Sequence, residues 1–125
     1  MLLGDFYYGR EKHHLASRAY EQAIRLSDSH SRALNNLAWL YATTSQPGLK
    51  DPVRALELAE RAVFIEQASH ILDTLAECYF VNGMISDAIR AEQQALDLAT
   101  GNRQYYEEQL GRFRQAEALS ESSKK

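Results

Sequence analysis

The sequence predicts an all-α protein, an antiparallel helix-pair solenoid of about seven helices, and three observations lead there. Alanine and leucine contribute 17 and 16 of the 125 residues, whereas Val, Ile and Thr together contribute 12, so strands have little to be built from. Six glycines and two prolines leave long stretches free of helix breakers. Apolar and small residues recur at spacings of three and four, and that pattern itself repeats along the chain.

The repeat is visible in two motifs. Leu3-Gly4-Tyr7, Leu37-Ala38-Tyr41 and Leu75-Ala76-Tyr79 each place a leucine, a small residue and an aromatic at the same offsets. Each is followed by a second motif spaced by four and then three: Ala16-Tyr20-Ala23, Ala55-Ala59-Ala62 and Ala88-Glu92-Ala95. From the leucine to the first alanine the distance is 13, 18 and 13 residues, so the middle unit carries a five-residue insertion. The stretch 43–52, TTSQPGLKDP, is dense in turn residues and must hold it, at about 45–49.

The elements follow in order. Helices are expected at about 2–9 and 12–27, carrying the first pair of motifs, and at about 31–44 before the insertion. A fourth helix over 52–66 has Asp51 as its cap and Pro52 as its first residue, the preferred place for each. The fifth, over 69–82, stops at Gly83, and the sixth, over 86–99, stops near Gly101. Asn102 can cap a last helix over 103–119, in which Tyr106, Leu110, Phe113 and Ala116 fall on one stripe, opposite Glu107, Glu108, Arg112 and Arg114. The polar tail 120–125, SESSKK, is expected to be disordered.

Three units in register, each reading L-[GA]-x-x-Y and then A-x-x-x-[FYA]-x-x-A, resemble the tetratricopeptide repeat (TPR). The resemblance covers residues 1–102, as repeats over 1–30, 31–68 and 69–102, and leaves 103–119 as a C-terminal capping helix. The second motif departs from the family in repeats two and three, where Ala59 and Glu92 replace the aromatic that survives as Tyr20. The closing proline is replaced by Asp28, Gln67 and Thr100. The family frame puts Met1 at the fifth position of its repeat, which suggests a piece of a longer array. What the resemblance implies is a TPR-like superhelix in which the first helix of each repeat lines a concave groove. The last helix either caps the third repeat or, as a mobile element, enters that groove.

The residues offer no chemistry for catalysis, and no cofactor or metal is expected. His13 and His14 are adjacent, so their rings diverge on a helix, and His30 and His70 stand singly at repeat junctions. Cys78 is the lone cysteine and has no basic neighbour to activate it, so it reads as a packed small residue. There is no phosphate loop, no G-x-S-x-G and no H-E-x-x-H. Fourteen basic against seventeen acidic residues give a net charge of −3, which argues against nucleic-acid binding. No apolar run suits membrane insertion, so a soluble domain is expected, most simply cytoplasmic.

Binding is the remaining class, and the resemblance places its residues. The groove positions are Leu2, Asp5 and Tyr8 in the first repeat and Arg32, Asn35, Asn36, Trp39 and Thr43 in the second. In the third they are His70, Asp73, Thr74, Glu77, Phe80 and Val81. Asn36 matches the asparagine that, in related repeats, hydrogen-bonds the backbone of an extended peptide. Trp39, one turn on, is either the aromatic anchor of the groove or buried against the next repeat. The subfamily that grips a C-terminal carboxylate needs cations where this chain has Met1, His70 and Thr74 and an asparagine where it has Asp5, and only Asn36 matches it, so that ligand is not expected. The expected partner is a protein segment with an apolar anchor and a basic residue, the latter selected by Asp73 and Glu77. Homo-oligomerisation and a role as the targeting arm of a longer enzyme are the alternatives.

Overall fold

The computed structural model describes residues 2–123. Among them are seven helices and no strand: α1 (Leu3–Gly9), α2 (His13–Leu26), α3 (Ser31–Thr43), α4 (Pro52–Ile65), α5 (Ser69–Val81), α6 (Ile85–Leu98) and α7 (Arg103–Ser122). The fold is an all-α helical repeat of TPR-like form. Helices α1/α2, α3/α4 and α5/α6 pack as pairs, and α2 on α3, α4 on α5 and α6 on α7 carry the stack onward, with α3 also touching α5. Short connections between consecutive packed helices require them to run antiparallel.

The small residues of the two motifs are where helices approach most closely. Ala16, Ala38, Ala55, Ala62, Ala76, Ala88 and Ala95 are all fully buried, while Ala23 is half-buried. Gly4 makes the tightest contact, because a Cβ there would lie 2.4 Å from the Tyr20 ring. Between these positions Leu34, Leu37, Leu40, Leu58 and Ile71 fill the core, and Phe113 seals its C-terminal end. Buried apolar area of this kind supplies most of the stability, since short helices are marginal alone.

Local signals set the helix ends. The Asp51 carboxylate accepts the Arg54 backbone N–H at 3.1 Å, and Pro52 opens α4 behind it. After α5 the chain turns through Gly83 at φ 78°, a left-handed conformation that glycine adopts without strain. The start of α7 differs from the expectation. Asn102, not Gly101, takes the left-handed conformation (φ 59°), and its side chain caps nothing. Asparagine tolerates that region because its short amide avoids the clash of a branched side chain. At the start of α3 the His30 ring accepts the Ala33 N–H, so this histidine is a helix cap.

Helix α7 continues to Ser122, three residues past the expected end. Its buried stripe of Tyr106, Leu110 and Phe113 holds the first three turns, and good helix formers carry the rest. Residues 120–122, expected in a disordered tail, are therefore helical, whereas Lys124 and Lys125 lie outside the described residues, as does Met1.

The insertion forms an anchored loop between α3 and α4. The Asp51 N–H donates to the Tyr41 carbonyl at 3.0 Å, and Thr44, nearly buried, bonds the His13 ring at 2.8 Å. Asn82 donates to the Pro52 carbonyl at 2.8 Å and so ties the end of α5 to the start of α4.

Candidate functional site

The first helices of the repeats, together with the start of α7, enclose a groove of about 440 Å³. Its lining comes from α1 (Asp5, Tyr8, Gly9), α3 (Asn35, Asn36, Trp39), α5 (His70, Asp73, Thr74) and α7 (Tyr105, Tyr106, with Asn102 just before it), and Tyr20 of α2 closes the floor. Five aromatic rings thus border one depression. Tyr8 lies four residues after the buried Gly4, Trp39 directly after the buried Ala38 and His70 six before the buried Ala76, and all three keep part of their surface exposed.

Asp5 organises the N-terminal end. One carboxylate oxygen accepts from the Tyr20 hydroxyl and, at 2.8 Å, from the Asn36 amide; the other accepts from Arg32 at 2.7 Å. Burial opposes ionisation of this carboxyl, but those donors outweigh it and hold its pKa below the usual carboxylate value. The same arrangement raises the pKa of Tyr20, through burial first and the adjacent carboxylate second. The Asn36 amide oxygen accepts from Asn35 at 3.3 Å, so the side chain expected to grip a peptide backbone is already engaged at both ends. Tyr8 stacks on His13 with centroids 5.1 Å apart. The hydroxyls of Tyr8 and Tyr106 and the indole N–H of half-buried Trp39 form no hydrogen bond among the described residues, and neither does the His70 ring. Four residues lining the groove thus carry a group able to donate.

The C-terminal end is built differently from the expectation. Asp73, Thr74 and Glu77, read as exposed rim residues, are buried, as is Asn35. The cause is α7, which covers the outer face of α5. Tyr105 donates to Asp73 at 2.9 Å, and one Arg112 nitrogen reaches both Glu77 oxygens, at 2.7 and 2.8 Å. Phe80 tilts against Phe113 at 4.9 Å, and the Arg112 guanidinium lies over both rings. Glu77 and Phe80 therefore belong to the α5–α7 contact and do not line the groove. Arg32 does not line it either; it stands exposed at its edge on Asp5. Tyr8, Asn35, Asn36, Trp39, His70, Asp73 and Thr74 do converge there.

Behind Asp73 lies Glu92 of α6, completely buried, with neither carboxyl oxygen paired, and one oxygen of Asp73 is unpaired too. Desolvation first, then the adjacent Asp73 and the nearby Glu77, push the Glu92 pKa well above the ordinary carboxylate range. The raised pKa favours the protonated form, the only form of Glu92 that can donate to the neighbouring Asp73. It occupies the second-motif position where repeat one has Tyr20, so a neutral acid fills the slot of an aromatic.

Tyr20, Tyr105, Tyr106 and Glu92 were not among the sequence-derived site residues. Tyr20 and Glu92 were legible as the variable position of the second motif, but nothing in the linear pattern says that the Tyr20 ring reaches the groove or that the Glu92 carboxyl stands behind Asp73. Tyr105 is adjacent to the predicted stripe of α7 and was read past for that reason. Burial pushes the Cys78 thiol up to about 12, so it is inert at neutral pH. Among the described residues no three His, Cys, Asp or Glu side chains converge as metal ligands, and no helix is long and apolar enough to cross a membrane.

No family model matches the sequence, and no curated protein matches it. Among solved structures, the crystal structure of PcrH in complex with the chaperone binding region of PopD matches with a TM-score of 0.66 at 18% sequence identity. The match covers 98% of this chain and 89% of that one. A likeness at that identity establishes the shared helical-repeat fold.

Proposed function

We propose that this chain is a non-catalytic protein-interaction module, part of a larger protein or complex, whose groove takes a segment of a partner protein. The observation that carries the reading is the lining. Aromatic rings supply apolar area at low entropic cost, and the unpartnered donors of Tyr8, Trp39, His70 and Tyr106 suit the carbonyl-rich backbone of an extended or short helical segment. The structural neighbour was crystallised with a binding region of another protein, which accords with this use of the fold. Asn36 takes part only if a ligand displaces it from Asp5, so Trp39 is the principal anchor. An apolar or aromatic side chain of the partner fits against it.

Trp39 is the only tryptophan, so its fluorescence reports directly on the groove. Peptides selected from an array should shift that emission with affinities of roughly micromolar order, as expected for a small groove. Trp39→Ala should weaken the best of them by about 2 kcal/mol or more in calorimetric titration. Binding that survives this substitution intact places the partner elsewhere.

Self-association is the second reading, favoured by one observation. Leu3, Phe6 and Leu15 are exposed at the α1/α2 end of the stack. Mass measurement across a concentration series decides it, with a constant monomer mass counting against the idea.

A further inference from the structure

The polar groups beneath the groove are unbalanced. Asp5 and Asp73 line it, and no lysine or arginine does. One acceptor in its floor, Asn35 Oδ1, has no donor among the described residues although Asn35 is more than nine-tenths buried, and Asp73 Oδ1 has only the Glu92 carboxyl beside it. Arg32 reaches Asp5 only from the exposed edge, in a pair that solvent weakens. Trp39, Tyr8 and Tyr105 line the same space. Aromatic walls, two carboxylates and an orphan acceptor together describe a receptor for a cation.

We infer that the groove selects an arginine side chain of its partner segment, seated among Trp39, Tyr8 and Tyr105 with its guanidinium directed at Asp73 and Asn35. The inference rests on the groove being the binding face and adds the chemistry of the residue bound there. Arginine suits it better than lysine, because a planar guanidinium stacks on rings while its five N–H groups supply the donors this floor lacks.

A second consequence follows from what stands behind Asp73. The groups that face Glu92 are Asp73 and Glu77 from α5 and Tyr105, Tyr106 and Arg112 from α7, with Arg112 already committed to Glu77. In the empty protein the Glu92 proton is the neutralising charge beside Asp73. A guanidinium at Asp73 takes over that role and favours ionised Glu92, so arginine binding expels a proton from this site to solvent. Cation and proton exchange for one another.

The probes are 12-residue peptides taken from an array for binding that Trp39→Ala abolishes, each resynthesised with every arginine replaced by norleucine or by glutamate. Groove-bound peptides should contain arginine, and the norleucine versions should bind at least about tenfold more weakly. Asp73→Asn keeps the Tyr105 contact and should remove most of the arginine-over-norleucine preference. Calorimetry at pH 7.5 in buffers of different ionisation heat should show proton release with the arginine peptide. Glu92→Gln should abolish that release while the preference for arginine remains. Peptides that need Trp39 but bind equally well with norleucine overturn the inference and leave the groove reading standing. Arginine-dependent binding without proton release overturns the exchange. If no array peptide depends on Trp39, the groove reading falls and the inference with it.

Discussion

At the scale of single residues, the Asp73–Glu92 pair makes the sharpest demand on stability. Glu92 has a raised pKa in the folded protein and an ordinary one when unfolded, so the folded state holds the extra proton between those values. Its contribution is complete below the ordinary carboxylate range and is lost progressively as pH rises from there to about 9. Glu92→Gln replaces the acid with a neutral amide that can donate to Asp73 at every pH. Its melting temperature should exceed that of the parent by about 3–6 °C at pH 8, with the gap closing near pH 5. Parallel melting profiles would contradict a protonated Glu92. The close-packed alanines give a second residue-level test. Ala38 and Ala76 have no exposed surface, and leucine at either must displace packed neighbours at a cost of roughly 1–3 kcal/mol in denaturant unfolding. These positions were legible from recurrence alone, because a small residue kept at one offset in three units marks a close approach. The buried acid was not. Glu92 stands where the motif varies, and a lone glutamate on a helix carries no sign that its carboxyl faces inward.

The helices form a repeating series whose ends are set locally, and the sequence exposes that well. Asp51 followed by Pro52 specifies the start of α4, and Asp51→Ala should cost about 1 kcal/mol by equilibrium unfolding, since it leaves the Arg54 N–H without its acceptor. An unchanged midpoint would mean that water replaces the cap fully. The insertion is less expendable than its turn-rich composition suggests. Loop length alone is a weak entropic term, but Leu49 packs against the core and the flanking Thr44 and Asp51 are hydrogen-bonded. Deleting residues 45–49 removes that packing with the loop. Helix α7 is the element whose role was least legible. Its apolar stripe announced a cap for the third repeat, yet Tyr105 and Arg112, off that stripe, donate to Asp73 and Glu77. A sequence shows which face of a helix is apolar; it does not show which polar side chains on its flanks meet partners on another helix.

For the molecule as a whole, the account makes one surface the working one. The first helices of the pairs and the start of α7 converge on a groove lined by Tyr8, Asn35, Asn36, Trp39, His70, Asp73, Tyr105 and Tyr106. The expected set reached that surface from the repeat frame. Of that set, Arg32 stands at the groove's edge, and Glu77 and Phe80 lie in the α5–α7 contact, because the frame of three repeats does not say how closely a following helix covers the third. The most direct test follows backbone and side-chain resonances of the uniformly labelled protein during titration with an array-selected peptide. The account predicts that shifts concentrate on those groove residues, with the Trp39 indole N–H among the largest. Shifts confined to Leu3, Phe6 and Leu15, or to the exposed Phe64 and Ile65 at the end of α4, would contradict it and move the binding face to the outside of the stack.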